Sequence, residues 1–245
     1  MLNDELPNSV HFTVIGVIRS CFGEKFGVPR QPGLAPSSNA QLELLPPFNQ
    51  PAAVSGLECV SHVWLQFLFH HSIDVPWRAS VRPPRLGGNK KMGVFATRSP
   101  VRPNPIGLSV VKLESIDTDN GRVVLNFSGI DLVDGTPILD IKPYVPYVDC
   151  LPDANNDIAA TPPLHLPVSF ERFGKNEEGV NSVELSESDR ALIIEVLQQD
   201  PRPSFQSLDT ERVYGMKLRN HDLRWRYGSV DNEVMIFVEK WIKLN

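Results

Sequence analysis

The chain has no apolar run near the ~20 residues of a membrane-spanning helix; its longest near-apolar piece is VWLQFLF, residues 63–69. It has only three cysteines, Cys21, Cys59 and Cys150. They are odd in number and far apart, so neither a disulfide framework nor a zinc site is expected. No glycine-rich fingerprint joins a strand to a helix, and no phosphate-loop lysine follows a glycine run, which argues against a doubly wound nucleotide fold. A Gly-x-Ser-x-Gly elbow is missing too, and no cysteine sits in a recognisable nucleophile context. The opening MLNDELPNSV has neither the basic start nor the apolar centre of a secretion signal. A cytoplasmic location is the expectation.

Proline is plentiful, at 22 of 245 residues. Prolines in such numbers argue against a helical bundle and for strands joined by shaped loops. Hydrophobic and charged fractions of 41% and 22% are those of an ordinary soluble protein, long enough for one or two domains with a sizeable core. The net charge of −5 conceals an asymmetry. Residues 78–112 hold bases and not one Asp or Glu. Within that window, VRPPRLGGNKKMGVFATRSPVRPNPIGL (residues 81–108) carries Arg82, Arg85, Lys90, Lys91, Arg98 and Arg102 among five prolines and four glycines. Cations cost free energy to bury and prolines remove ladder donors, so this is poor core material. It reads as a surface for an anionic ligand. The bland alternative is a solvated loop whose arginines bond backbone carbonyls.

Along the chain, residues 10–19 (VHFTVIGVIR) predict an opening strand. Residues 22–56 form a long irregular region; loops of this length are often binding loops, and Phe22, Phe26, Leu34 and Phe48 look like packing anchors against disorder. Residues 63–69 alternate, with Val63, Leu65, Phe67 and Phe69 on one face. A short strand is expected over residues 92–97. The clearest hairpin joins residues 110–113 to 123–127 through Asp119-Asn120-Gly121, where Asn-Gly supplies the positive φ of a type I′ turn. A second turn, Asp134-Gly135-Thr136-Pro137, separates IDLV from ILDI. Together these predict a barrel-like β domain over residues 1–150. Residues 146–167 read as a linker or extended arm. Behind it, Ser186 with Asp189 opens a helix in capping-box fashion, and Leu192, Ile193, Val196 and Leu197 stripe its face before Pro201 and Pro203 end it. Three short strands follow, over residues 213–219, 223–227 and 234–238. Residues 151–245 are therefore expected to be a linker and a small α+β domain.

His62, His70, His71 and Asp74 are the residues whose types could ligate a metal. On one strand His62 and His70 would lie ~26 Å apart, too far for joint ligation, so no metal is expected and a strand-end histidine bonding a ligand or the backbone is the better reading. Asp131 and Asp134 flank Leu132-Val133, and Asp134 opens a turn, where aspartate commonly bonds its own backbone.

RPPRLGGN, GVFATRSPVRPNPIGLS and DLVDGTPILDIKPY, with IGVIRS, EKFGVPRQPG, DPRPSF and LRWR, closely resemble the TrmO (YaeB or TsaA-like) family over nearly the whole chain. The resemblance implies a mainly β fold, a TsaA/YaeB-like β-barrel with a small α+β C-terminal domain. It implies an S-adenosylmethionine-dependent enzyme that methylates N6 of N6-threonylcarbamoyladenosine at position 37 of threonine tRNA. It also implies a homodimer with the cofactor near the subunit interface. Carried over, the cofactor contacts fall on Pro29, Arg30, Gln31, His70, His71, Arg98, Leu108, Asp134, Gly135, Thr136 and Pro137. Arg82, Arg85, Lys90, Lys91 and Arg102 are then left for RNA or a partner subunit. The N6 nitrogen must lose a proton, and the base could be Asp134, the substrate's own carboxylate or water. Departures are Cys21, where proline is expected after IGVIRS, and a sparser match in the C-terminal domain. Two other readings are a non-enzymatic RNA-binding factor and, on the histidines alone, a metal-dependent hydrolase.

Overall fold

The computed structural model describes residues 9–83, 90–171, 185–202 and 206–244; Arg85 and Pro203 lie outside them. In chain order the elements are β1 (Gly16–Ser20), β2 (Asn39–Leu44), the single turn α1 (Pro51–Val54), β3 (His62–Leu68), β4 (Ser80–Val81), β5 (Met92–Gly93), β6 (Ile106–Asp117), β7 (Val124–Ser128), β8 (Pro137–Pro143), the turn α2 (Pro146–Asp149), β9 (Val168–Ser169), α3 (Glu187–Leu197), β10 (Tyr214–Leu218), β11 (His221–Val230) and β12 (Glu233–Lys243).

Six strands close a barrel in the order β1-β2-β7-β6-β3-β8, and every neighbouring pair is antiparallel. Alternation sets what fills it. Val63, Leu65 and Phe67 of β3 are buried with Ala40, Leu42 and Leu44 of β2 and Leu125 and Phe127 of β7, while Trp64, Gln66 and Leu68 are half-covered on the other face. Closing the sheet leaves no exposed edge to template aggregation. The β6–β7 hairpin turns on Asn120 and Gly121, both at positive φ, and Arg122 N–H closes it onto Asp119 O at 3.0 Å. This is the primed geometry that matches strand twist.

Two expected strands are shorter. Pairing begins only at Gly16, so residues 10–15 stand outside the strand although Ile15 N–H still reaches Ile138 O at 2.9 Å. The strand over residues 92–97 shrinks to Met92–Gly93, because its partner is the two-residue β4, soon followed by Pro83. Val94–Ala96 then tightens into a 3-10 turn.

The antiparallel topology decides where connections emerge. β1 and β3 both run opposite to β8, so they end at the same rim. β2, β6 and β8 start there, and β7 ends there. Three connections therefore share one rim: residues 21–38, 69–105 and 129–136. The hairpin turn at residues 118–123 lies at the other.

The C-terminal segment builds a four-stranded sheet, β10-β11-β12-β9, with β9 parallel to β12. Helix α3 is capped by Ser186, whose Oγ accepts Asp189 N–H at 3.0 Å and donates to Asp189 Oδ2 at 2.6 Å. Its stripe, Leu192, Ile193, Val196 and Leu197, is buried, in one apolar cluster continuous with the barrel core. The three expected strands are present, with β11 and β12 about twice the expected length. Among the described residues no helix is long and apolar enough to cross a membrane.

Candidate active site at one rim of the barrel

Every described residue that the sequence singles out for ligand contact lies on one of those three connections or at the first turns of the strand leaving it. Pro29, Arg30 and Gln31 sit midway along the first connection; Pro29 is buried and Arg30 exposed. His70 and His71 open the second, straight after β3, with ring centroids 4.0 Å apart. Burial and the neighbouring His71 hold the His70 pKa below its usual value, which favours a neutral imidazole able to accept a hydrogen bond. His62, by contrast, lies at the far end of β3.

Contacts bind the connections to one another. Arg98 donates to Gln31 Oε1, joining the basic segment to the first connection. Lys25 Nζ donates to His71 O at 3.3 Å. In the third connection, Asp134 N–H bonds Phe22 O at 2.8 Å and Gly135 N–H bonds Ile18 O at 2.9 Å. The Asp134 carboxylate accepts Ser20 N–H at 2.9 Å and faces Arg19 at 3.8 Å. Gly135 takes positive φ, and Thr136 Oγ1 closes the turn onto Val133 O at 2.6 Å. Leu108 on β6 points outward and is 51% exposed. Arg82, Lys90 and Lys91 are exposed on the second connection, and Arg102, half-buried, donates to Thr97 O at 3.3 Å.

The fold brings two more residues here, Ser109, which the sequence did not single out, and Asp131, which it paired with Asp134 without giving it a role. Ser109 follows Leu108 and points into the barrel, 2% exposed. Its hydroxyl and the Arg98 guanidinium both act to lower the pKa of the Asp131 carboxyl. Burial outweighs both, raising the Asp131 pKa from 3.8 to about 6. Its Oδ1 is buried and has no partner among the described residues. A buried, half-satisfied carboxyl next to a cation is the kind of perturbed group that functional sites contain. The sequence carried one hint, the spacing of Asp131 and Asp134. Among the described residues no group of three or more His, Cys, Asp or Glu side chains could hold a metal ion.

The described residues thus form a closed six-stranded antiparallel barrel with a basic, loop-built rim, and among them there is no doubly wound nucleotide-binding sheet. The tRNA-methyltransferase O N-terminal domain model matches residues 17–150, and the TrmO C-terminal domain model matches residues 163–239. The chain belongs to the TrmO family. It is 47% identical over 230 residues to the tRNA (adenine(37)-N6)-methyltransferase of Escherichia coli strain K12, covering 93% of this chain and 97% of that protein. It is 52% identical over 217 residues to a putative S-adenosylmethionine-dependent methyltransferase, RcsF, of Pseudomonas aeruginosa, covering 89% and 92%. A crystal structure of TrmO from the same organism superposes with a TM-score of 0.75 at 42% identity, covering 98% of this chain and all of that one.

Proposed function

We propose that this rim binds S-adenosylmethionine and that the enzyme transfers its methyl group to N6 of N6-threonylcarbamoyladenosine at position 37 of threonine tRNA, in the cytoplasm. One observation carries the reading: the segments picked out for cofactor contact, over 100 residues apart in sequence, are the connections of a single rim. Membership of the TrmO family supports the reaction class.

The residues present suit the cofactor. Its methionyl carboxylate suits the Arg98 guanidinium, which Gln31 Oε1 ties to the first connection at this rim. Arg30, exposed beside Gln31, and Arg98 are planar forks for carboxylates, that of the cofactor and that of the threonyl group. Pro29, His70, His71, Leu108 and the turn Asp134, Gly135, Thr136 and Pro137 complete the cofactor wall. When bound, the cofactor supplies a methyl group already activated on a sulfonium, so the protein's contribution is alignment and removal of the N6 proton. Asp134 has its oxygens engaged by Ser20 and Arg19 and serves to shape the turn. Asp131 is the carboxyl with capacity to spare, and its raised pKa suits it to take a proton near neutrality. Arg82, Lys90, Lys91 and Arg102, with Arg85, are assigned to tRNA phosphates. Residues 1–150 are assigned as the methyltransferase barrel and 151–245 as a linker and small α+β C-terminal domain.

The test is transfer of labelled methyl from S-adenosylmethionine to tRNA with and without the threonylcarbamoyl group. Label is expected only where that group is present. Binding of tRNA without any transfer would favour the RNA-binding factor instead. In the same assay Arg82→Ala should lower the salt slope of tRNA binding by about one; an unchanged slope removes Arg82 from the phosphate contacts.

A further inference from the structure

The first connection is held by the C-terminal unit from both sides of its cofactor segment. Upstream, residues 21–27 run along the edge of the second sheet. Phe22 forms an antiparallel bridge with Leu218, and Arg219 N–H bonds Cys21 O at 2.6 Å. Glu24 Oε1 accepts Lys217 N–H at 2.8 Å. Phe26 stacks on the fully buried Trp225, with centroids 5.8 Å apart and planes within 8°. At Gly27, φ is +82° and an added Cβ would meet the Met216 side chain at 2.4 Å, so glycine serves the close approach as well as the turn. Downstream, Gln199 Nε2 donates to Leu34 O at 3.1 Å. The Glu195 carboxylate on α3 accepts both Ser37 N–H at 2.7 Å and Ser37 Oγ at 2.9 Å. Residues 28–33, which contain Pro29, Arg30 and Gln31, span the gap between these anchors. They meet the other two connections of the rim through Gln31 with Arg98 and Gly33 N–H with Gly129 O at 2.8 Å.

We propose that the C-terminal unit is a positioning element for the cofactor, with Phe26, Trp225, Met216 and Glu195 holding residues 28–33 in binding geometry from outside the barrel. Their effect is preorganisation: a loop already ordered loses less entropy when ligand arrives, so cofactor affinity rises without a new contact. None of the four is among the residues assigned to the cofactor or to tRNA. Two anchors on opposite flanks, one aromatic and one ionic, make the arrangement a clamp.

The proposal rests on residues 29–31 meeting the cofactor, and the experiment separates the two ideas. In the full-length protein, Glu195→Ala and Phe26→Ala are each expected to weaken binding of S-adenosylmethionine by roughly fivefold to tenfold, measured by calorimetry. The turnover number at saturating cofactor and the affinity for tRNA should stay within about twofold. Amide exchange at Val28, Arg30, Gln31 and Gly33 should speed up in the cofactor-free variants while β3 and β6 remain protected. Phe26→Leu, which keeps bulk without the flat stack, should fall between wild type and Phe26→Ala and covers the case in which the alanine variant does not fold. Unchanged cofactor affinity in variants that exchange faster overturns the proposal, as does lost tRNA affinity with cofactor binding intact. If Arg30→Ala and Gln31→Ala leave cofactor affinity unaltered, the cofactor reading of that segment fails, whatever the exchange data show about the clamp.

Discussion

Burial holds the Asp131 proton on more firmly than water would, and this has a cost for the folded state. An acid whose pKa rises from 3.8 to about 6 on folding binds its proton better in the native chain than in the unfolded one. Below pH 3.8 both forms are protonated and nothing is lost. As pH rises from there through 6, ionising the buried group destabilises the fold by up to about 3 kcal/mol. Asp131→Asn should therefore be more stable than wild type at pH 8, with the gap closing below about pH 4 in urea melts. The same variant should lose most of its methyl transfer and the rise of kcat/KM around pH 6. A variant that gained stability and kept full activity with the wild-type pH profile would exclude Asp131 from the chemistry. Asp134 shows the contrast. Its position at the head of Asp-Gly-Thr-Pro identified a turn from sequence, and the turn is there. Asp131 could not be distinguished from it, since burial and an orphaned oxygen are properties of the surroundings.

Element spacing was legible where the pattern of apolar side chains alternates or stripes, as in β3, covered on both faces, in the β6–β7 hairpin and in α3. It failed for residues 10–15 and 94–97, whose β-branched and aromatic side chains suit a strand but whose backbone bonds to neighbouring segments are confined to Ile15 and Val94. Pairing partners are non-local, and propensity does not report them. Gly107 on β6 is a case where the element needs a missing side chain: an added Cβ would lie 2.2 Å from the ring tip of Phe67. That ring packs edge-on against Phe69 at 5.1 Å, just before His70. Gly107→Ala should cost about 1–3 kcal/mol through overpacking, read by denaturant unfolding, and should weaken cofactor binding by tilting the strand end. Wild-type stability would mean that Phe67 has room to turn.

At the scale of the molecule, several large apolar side chains stand exposed along the second connection. Ile73, Val75, Trp77, Phe95 and Leu108 are all exposed on or beside the second connection, Phe95 at 77%. Exposed apolar side chains along one connection suit an interaction surface, and we propose that the homodimer implied by the family resemblance closes there over the cofactor site. Sedimentation of the wild type should give a dimer, and Phe95→Glu should shift it toward monomer with weaker cofactor binding. A wild-type monomer at micromolar concentration would sink the idea. The barrel class, the turns, the helix and the acid-free basic segment could all be read from residue order, because each depends on side chains a few positions apart. That residues 21–38, 69–105 and 129–136 meet at one rim, that Ser109 and Arg98 flank Asp131, and that a distant sheet grips the loop holding Arg30 could not. Those facts follow from strand direction and barrel closure, which fix long-range neighbours only once every strand has found its partner.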